Sequence, residues 1–397
     1  KLLVLFWGFY LFFILICFLI FDLLIGVLLI KNNTFLGYPL PPYGPLITET
    51  QKQRFEKMGH DSSSYIVFDK FLGWTIGPNR KSNNGLYKSN SYGMRSDREY
   101  NRLVSDGIFR IAVFGDSFTE GVDVSNENTW PSILEQKLKK VEVLNFGVRA
   151  YGTDQALLRY KRDGQLFHPY LVIIGYMIEN IRRNVNVYRP IYEHNTGGIG
   201  IKPRFIIEGD SLKLIPIPVK SPEELKSFIK NGTIFEKIEP YDYWYQKYKI
   251  AFQPNNWMFK LNSIKIAWLI YEKHARNLKR LYAEVNKEPF LVTVRILETF
   301  YNTVKQNGSR ALVLILPAKG HLEEFMENHT KFWQPLLNYL EKRRIEYLDV
   351  TEALALEQLK SPVVYGHYTD KGNEVVAEVV KNWLLKNIIT EKGTWTN

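Results

Sequence analysis

The chain has 397 residues and a formal net charge of +11, with 45% hydrophobic and 23% charged residues. This length suggests two or three domain-sized units, and the composition excludes a largely disordered chain. The excess of Lys and Arg suits an anionic membrane surface or an acidic polymer, although a basic, solvated surface with no specific polyanion site is the favoured interpretation. We expect no nucleic-acid partner, because no basic run or recognition motif accompanies the charge.

The first segment, 1–31, is predicted to be a membrane anchor. Leu2 to Ile30 is almost wholly apolar, and as a helix it would be roughly 43 Å long, more than the roughly 30 Å of a bilayer core. The chain leaves it through Lys31-Asn32-Asn33 rather than a small-residue cleavage site, which favours an uncleaved anchor over a signal peptide. The only cysteine, Cys17, lies in this segment, so the rest of the sequence offers no disulfide and no thiolate metal site.

The next segment, 32–107, is predicted to be a spacer followed by loops and short strands that wrap the main domain. It begins with the Pro-rich stretch "GYPLPPYGPL", which is typical of an extended linker. The remainder is irregular and rich in Asn, Ser and Gly, as loops are.

From Phe109 onward the sequence alternates short apolar strands with amphipathic helices. The predicted strands are 109–114, 141–146, 170–176, 310–316 and 346–350. Four of the five are continuous apolar runs, typical of a parallel sheet covered on both faces. Helical patterns separate them near 130–138, 154–165, 291–306 and 331–343, and a last one follows 370. The alternation predicts a doubly wound α/β sheet with right-handed crossovers.

An insertion over 185–290 interrupts this alternation, so the core is predicted to consist of 108–184 and 291–390. The insertion carries a hairpin pattern that turns at Glu208–Ser211 and several helical patterns, which indicates an α+β element. The aromatic run between Tyr241 and Tyr248 favours core or lid packing over stacking on sugar rings.

Polar residues follow the core elements at the edge where open parallel sheets bind ligands. Ser117 follows the first strand, Gly147 the second and Asn180 the third, and His367 precedes the last helix. Acyl transfer needs an activated hydroxyl and N–H donors for the oxyanion. Ser117 can be the nucleophile and His367 its base. The N–H groups of Ser117 and Gly147 and the Asn180 amide can form the oxyanion hole, and no metal or other cofactor is called for.

At these residues the sequence resembles the SGNH (GDSL) hydrolases, a family of serine esterases and acyltransferases on a flavodoxin-like sheet. "GDSFTEG" resembles the nucleophile block, "NFGVRAYG" the glycine block and "GHYTDKGN" the histidine block. The blocks occur in the family's order, and the resemblance covers about 105–190 and 290–390 in broken form. It implies a flavodoxin-like core in which Ser117 and His367 are catalytic.

Two positions depart from the family's pattern. Glu179 stands where the third block most simply places its oxyanion-hole Asn, so Asn180 is the neighbouring candidate. Val364 stands three residues before His367, where the family usually carries the orienting Asp. Asp349 and Asp370 are the alternative candidates for that acid, and a Ser–His dyad is the other interpretation.

Together these features predict a membrane-anchored serine esterase or O-acyltransferase that works through acyl-Ser117. The expected substrates are acyl esters of a cell-envelope glycan, with acetyl the favoured group, and the expected partners are this glycan or another ester, the membrane and envelope-assembly proteins. The soluble part is expected outside the cytoplasm. The alternative is an inactive SGNH-like module that binds glycan or acts as a scaffold in an envelope assembly. The departures at 179 and 364 favour that alternative, and the retained Ser117, Gly147 and His367 oppose it.

Overall fold

A computed structural model describes residues 2–58 and 64–388 of the chain. The strands are β1 (Thr34–Phe35), β2 (Tyr38–Pro39), β3 (Ile66–Asp69), β4 (Gly73–Ile76), β5 (Phe109–Gly115), β6 (Val141–Asn145), β7 (Leu171–Met177), β8 (Arg204–Glu208), β9 (Ser211–Ile215), β10 (Arg310–Leu316) and β11 (Tyr347–Asp349). The helices are α1 (Leu2–Leu29), α2 (Glu49–Lys57), α3 (Ser117–Glu120), α4 (Trp130–Lys137), α5 (Thr153–Arg162), α6 (Asn180–Arg183), α7 (Arg189–Tyr192), α8 (Pro222–Asn231), α9 (Ile234–Ile238), α10 (Tyr243–Tyr248), α11 (Asn262–Ala275), α12 (Leu278–Ala283), α13 (Glu288–Gln306), α14 (Lys319–Asn328), α15 (Gln334–Lys342), α16 (Thr351–Gln358) and α17 (Asp370–Asn387). Short 3₁₀ helices occupy Asn126–Asn128, Gly164–Phe167, Lys249–Phe252 and Trp257–Lys260.

Five strands form a parallel sheet in the order β11-β10-β7-β5-β6. Numbered along the chain, this order is 2-1-3-4-5, the flavodoxin-like arrangement of a doubly wound sheet. The predicted fold class is therefore confirmed, and each of these strands begins and ends within one residue of its predicted range. Every residue of β5 and of β7 is buried, which is why their sequences are continuous apolar runs.

The helices that cover the sheet also follow the sequence pattern. The first turn of α4 contains Pro131, and the Ser132 N–H donates to the Oγ1 atom of its cap, Thr129, over 3.4 Å. The Trp130 N–H donates to Oδ1 of Asn373 on α17 over 3.0 Å, which joins two helices that pack against each other. Both the Trp130 and the Asn373 side chains are buried, so this hydrogen bond fixes the start of α4 beside the last helix.

The described chain divides into two compact units. One contains 2–58, 188–200 and 223–277, and the other, which holds the parallel sheet, contains 64–187, 201–222 and 278–388. The segment predicted as the insertion is thus divided between both units. Its hairpin, β8 and β9, belongs to the sheet unit and turns through Gly209, whose φ of +60° favours glycine. The hairpin prediction is confirmed.

In the first unit the Pro-rich segment is packed rather than extended as a free spacer. Leu40 and Tyr43 are buried. The Tyr43 N–H donates to the carbonyl of Ala251 over 2.7 Å, and its hydroxyl donates to Oε2 of Glu272 over 3.1 Å. Burial of an aromatic side chain with its polar group paired holds a segment in place, so this part of 32–107 belongs to the unit's core.

The aromatic run of α10 belongs to the interior of the same unit. Trp244, Tyr245 and Tyr248 are buried, and the Arg276 guanidinium lies 4.7 Å from the centre of the Tyr248 ring. These three rings therefore pack in a core, as the sequence pattern favoured, whereas Tyr241, at the start of the aromatic run, is 39% exposed.

Helix α1 is the element long and apolar enough to cross a membrane among the described residues. The span runs from Leu5 to Leu29 over 25 residues, and its side chains are almost all exposed. A membrane span and a signal sequence both have this character.

Candidate active site

The turn that follows β5 holds Ser117 at the carboxyl end of the sheet. Asp116 caps the short helix α3 with its side chain, because Oδ1 accepts the Phe118 N–H over 3.0 Å. A Cβ on Gly115 would overlap the Thr119 side chain and lie 2.8 Å from the carbonyl oxygen of Gly175, so only glycine fits there. Among the described residues, nothing forms a hydrogen bond with the Ser117 hydroxyl, which is therefore available to a substrate.

His367 lies beside this turn and is paired with an aspartate. The ring of Phe118, which follows the serine, lies 5.3 Å from the His367 ring between centroids. The Nδ1 atom of His367 is 2.8 Å from Oδ2 of Asp123. Asp123 follows α3 with a left-handed φ of +75° and donates its own N–H to the Tyr87 hydroxyl over 3.2 Å. The structure thus brings Ser117, His367 and an acid together, although no direct hydrogen bond joins Ser117 and His367 here.

Asp123 replaces both acids that the sequence suggested. Oδ1 of Asp349 accepts the Thr351 N–H over 2.9 Å, and its Oδ2 is 3.1 Å from Nζ of Lys331. Both carboxylate oxygens of Asp349 are therefore occupied, one by the first turn of α16 and the other by the ion pair with Lys331. Asp370 lies in the first turn of α17 and forms no hydrogen bond with His367 in the described structure. Neither residue orients the imidazole.

The N–H of Gly147, predicted as an oxyanion donor, already donates a hydrogen bond within the protein. It donates to Oδ1 of Asn145 over 2.9 Å, an Asx turn in the loop after β6. A Cβ on Gly147 would lie 2.7 Å from the carbonyl carbon of Thr119. This glycine therefore allows the loop to approach α3 closely, and its N–H is not free to bind an oxyanion.

Within the described part of the chain, the N–H of Ala150 in the same loop has no acceptor. The other N–H groups from 146 to 152 all have acceptors, namely Val113 O, Asn145 Oδ1, Gly115 O, Glu120 Oε2, Val148 O and Gln155 Oε1. Ala150 is partly exposed and has a φ of +66°, a conformation that favours glycine. Because Ala150 is partly exposed, water can satisfy its N–H in the free protein, and a bound group can replace that water. The sequence reasoning missed this residue.

Asn180 is the first residue of α6, shortly after β7. The side chain is 1% exposed, its Oδ1 is buried, and no described residue forms a hydrogen bond with the amide. The adjacent Glu179 is more exposed, and its carboxylate lies 3.6 Å from Nη2 of Arg183. A buried amide without a partner is costly unless something else fills its hydrogen bonds. The unpaired buried atom is the acceptor Oδ1, so the role of the Asn180 Nδ2 group as an oxyanion donor rests on its position after β7 and stays a prediction.

Arg183 connects the three loops at this edge of the sheet. Its Nη1 is 3.1 Å from Oδ2 of Asp116 and 3.1 Å from the carbonyl oxygen of Tyr151. Burial raises the pKa of the Asp116 carboxyl, and the Arg183 guanidinium and the Phe118 N–H oppose that shift. The pair therefore fixes the turn that carries Ser117 against the loop that carries Ala150.

A second buried guanidinium holds the segment that carries Asp123. Arg95 donates to the carbonyls of Glu120, Gly121 and Val124 and to Oδ1 of Asn126. Carbonyls on both sides of Asp123 are therefore bound to one rigid side chain. The spacing of the sequence contains no signal for this contact, because Arg95 lies in the irregular segment before the core.

No protein-family model and no curated protein match this chain. Solved structures do match, among them a lipolytic protein of the G-D-S-L family from Desulfitobacterium hafniense, with 15% identity, a TM-score of 0.35 and coverage of 69% of this chain and 98% of that one. A lipase/acylhydrolase from Enterococcus faecalis matches with 10% identity, a TM-score of 0.35 and coverage of 70% and 95%. The acetyl xylan esterase AlAXEase matches with 12% identity, a TM-score of 0.36 and coverage of 70% and 100%. At these values the chemistry has to be argued from the residues of this chain.

Proposed function

We propose that this chain is a membrane-anchored serine esterase or O-acyltransferase that removes or moves acyl groups, acetyl being the favoured one, on a cell-envelope glycan. The observation that carries the proposal is the meeting of three features at one edge of the sheet. These are the Ser117 hydroxyl, the His367–Asp123 pair, and the Ala150 N–H with the Asn180 amide. No described residue forms a hydrogen bond with that hydroxyl, that N–H or that amide.

In this mechanism the Ser117 hydroxyl attacks the ester carbonyl while His367 Nε2 accepts its proton. Asp123 accepts a hydrogen bond from Nδ1–H, which fixes the tautomer with a basic Nε2 and stabilises the imidazolium. The N–H groups of Ser117 and Ala150 and the Asn180 amide hold the negative oxygen. The intermediate collapses to acyl-Ser117, and the departing alcohol takes the proton from His367.

The second half of the reaction decides between hydrolysis and transfer. His367 removes a proton from water or from a sugar hydroxyl, which attacks the acyl-Ser117 carbonyl. Water yields a free acid, and a sugar hydroxyl yields a new ester, with Ser117 regaining its proton in both cases. The residues of the site serve both routes equally, so product analysis has to distinguish them.

Two features support a membrane-bound, polymeric substrate. The apolar helix α1 would hold the enzyme at a membrane, and the net charge of +11 favours an anionic surface. Asp123 is 61% exposed and His367 is partly exposed, so the site is open enough for a bulky glycan. On this proposal the soluble part works outside the cytoplasm, where envelope glycans and their assembly proteins are found.

Fluorophosphonate labelling of the full chain in detergent, read by intact mass, tests the activated serine. The parent and Ser125→Ala, a neighbouring control, should gain one adduct, Ser117→Ala none, and His367→Ala should label far more slowly. Acetyl-ester turnover with and without an oligosaccharide acceptor then separates hydrolysis from transfer. A folded parent that gains no adduct would overturn the enzyme proposal in favour of the glycan-binding module.

A further inference from the structure

The apolar helix α1 carries one charged residue, Asp22, and the structure gives it a specific partner. The carboxylate is 5% exposed. Its Oδ2 accepts the Asn262 N–H over 3.0 Å, and its Oδ1 accepts the Ser263 N–H over 2.7 Å and the Ser263 hydroxyl over 2.5 Å. Asn262 is the first residue of α11, so a side chain of α1 caps the first turn of α11.

A glycine on the same face of α1 completes this contact. Gly26 follows Asp22 by one turn, and a Cβ there would overlap the Asn262 side chain. The Asn262 amide also donates to the backbone carbonyl of Asp22 over 3.2 Å. The start of α11 therefore packs against α1 at one defined position along the α1 axis, beside Asp22 and Gly26.

If α1 spans a bilayer, the start of α11 lies at the boundary of that bilayer or inside it. A hydrocarbon core of about 30 Å takes about 20 residues of helix at about 1.5 Å each. If these residues begin at Leu5, where the apolar span begins, they end at Leu24, which leaves Asp22 about 3 Å inside the core. If they end at Leu29, Asp22 lies about 10 Å inside the core. Every register between these limits brings the start of α11 to the boundary or below it.

The residues just before α11 have the character of an interfacial element. In the 3₁₀ helix Trp257–Lys260, the Phe259 side chain is buried, whereas Trp257 is 70% exposed and Lys260 is exposed. Tryptophan is enriched at the lipid–water boundary, where its apolar ring and its N–H are both satisfied. A lysine beside it can extend its ammonium group to anionic headgroups.

We propose that the segment Trp257–Ser263 lies in the lipid–water interface of the bilayer that α1 crosses, with Trp257 in contact with lipid. The Asp22 carboxylate holds this segment against α1, because it accepts hydrogen bonds from the N–H groups of Asn262 and Ser263 and from the Ser263 hydroxyl. This inference rests on α1 crossing a bilayer and not on the acyl-transfer chemistry. The enzyme would thus contact the membrane through a second element as well as through its anchor.

Depth-dependent quenching of the full-length chain in liposomes tests this surface. Cys17→Ser removes the only cysteine, and Trp257→Cys or Phe21→Cys then receives an environment-sensitive fluorophore. Position 21 lies inside the hydrocarbon core in every register considered above. The liposomes contain either lipids brominated on their acyl chains or ordinary lipids. We expect the label at 257 to lose fluorescence to a degree comparable with the label at 21, to emit at shorter wavelength than in water, and to resist iodide.

A label at 257 that iodide quenches and brominated lipid does not would overturn the proposal, even where the label at 21 is quenched. If the label at 21 also escapes lipid quenching, the anchor itself fails, and the proposal with it. In an Asp22→Leu variant the label at 257 should lose its lipid quenching while the label at 21 keeps it. Asp22→Asn, which retains an acceptor, should restore part of the quenching at 257. Unchanged quenching at 257 in Asp22→Leu would contradict the anchoring role of Asp22.

Discussion

His367 Nδ1 lies 2.8 Å from Oδ2 of Asp123, a residue 244 positions earlier and only six after Ser117. The acid and the nucleophile therefore come from one continuous turn, while the base comes from the loop before the last helix. The position three residues before the histidine is Val364, which is 1% exposed and packs in the core. An acid is present at Nδ1 even though the family's usual position is apolar.

Replacing Asp123 by Asn should lower kcat/KM for an acetyl ester. The amide can donate to Nδ1 and thereby favour the wrong imidazole tautomer. Because the pair is largely exposed and solvent screens it, we expect a loss of about 10- to 100-fold, well below that of a buried triad acid. The measurement is steady-state turnover beside circular dichroism, which should not change.

Asp370→Asn serves as the matched control, since that acid also lies near His367 in the sequence and makes no bond to it. Its turnover should equal that of the parent. Val364→Asp should bring no gain, because Nδ1 already has an acceptor. A large gain from Val364→Asp, or equal losses in Asp123→Asn and Asp370→Asn, would contradict the assignment of Asp123.

Replacing Asn180 by Ala should lower kcat by about 100- to 1,000-fold with little change in KM, as expected for an oxyanion-hole donor. The amide forms no hydrogen bond with any described residue, so stability should change little, apart from lost packing. Glu179→Gln, at the adjacent position, should retain activity within a few-fold. If Glu179→Gln falls as far as Asn180→Ala, the donor is misassigned.

Replacing Ala150 by Gly should stabilise the protein. A residue with a Cβ at a φ of +66° is strained by about 1–2 kcal/mol, and the greater freedom of glycine in the unfolded chain offsets about half of that. We expect a gain of up to about 1 kcal/mol in denaturant unfolding, with turnover retained because the N–H remains. Ala353→Gly, within α16, should instead lose about 1 kcal/mol. A loss at both positions would contradict the strain argument.

The sequence predicted those parts of the fold that are encoded locally. In a protein of alternating strands and helices, a continuous apolar run such as β7 indicates a buried strand of a parallel sheet. The hairpin of β8 and β9 is predicted by the turn residues around Gly209. Ser117 was likewise found because it follows such a strand directly. The use of the Gly147 N–H could also have been predicted, since Asn145 two residues earlier is a typical Asx-turn acceptor.

The rest of the site depends on contacts between distant segments. Asp123 reaches His367 only because Gly121 and Asp123 both adopt left-handed conformations that turn the chain after α3. Alanine gives no sign of the left-handed φ found at position 150. The packing of Tyr43 against Glu272 could not be predicted from a Pro-rich stretch, because composition alone does not reveal tertiary partners.

Replacing Arg95 by Met should affect both stability and catalysis. The change leaves the carbonyls of Glu120, Gly121 and Val124 without their donor, and unpaired buried acceptors cost about 1–3 kcal/mol each. We expect a loss of at least about 3 kcal/mol in unfolding free energy and a lower kcat in the variant that still folds, because Asp123 loses its support. Arg98→Met, an exposed arginine three residues on, should change the unfolding free energy by less than about 1 kcal/mol. Equal effects of the two variants would show that Arg95 has no special role.

The buried His321 should make the protein less stable in mild acid. Burial lowers the pKa of this imidazole from 6.5 to about 4, and its Nδ1 accepts the Ala318 N–H over 3.0 Å at the start of α14. Between these two pKa values the unfolded chain binds the extra proton. The contribution of His321 is therefore complete above about pH 6.5 and decreases as the pH falls towards 4, by up to about 3 kcal/mol in all.

His321→Gln keeps an acceptor at the third position of the helix, where Gln is favoured, but it does not titrate. We expect the variant's unfolding free energy to fall less than the parent's between pH 6.5 and pH 4, measured by urea unfolding at each pH. The exposed His274 supplies the control, because His274→Gln should follow the parent's pH dependence. If His321→Gln and the parent lose stability in parallel, His321 is not the group responsible, and another buried histidine such as His194, whose pKa burial also lowers, becomes the candidate.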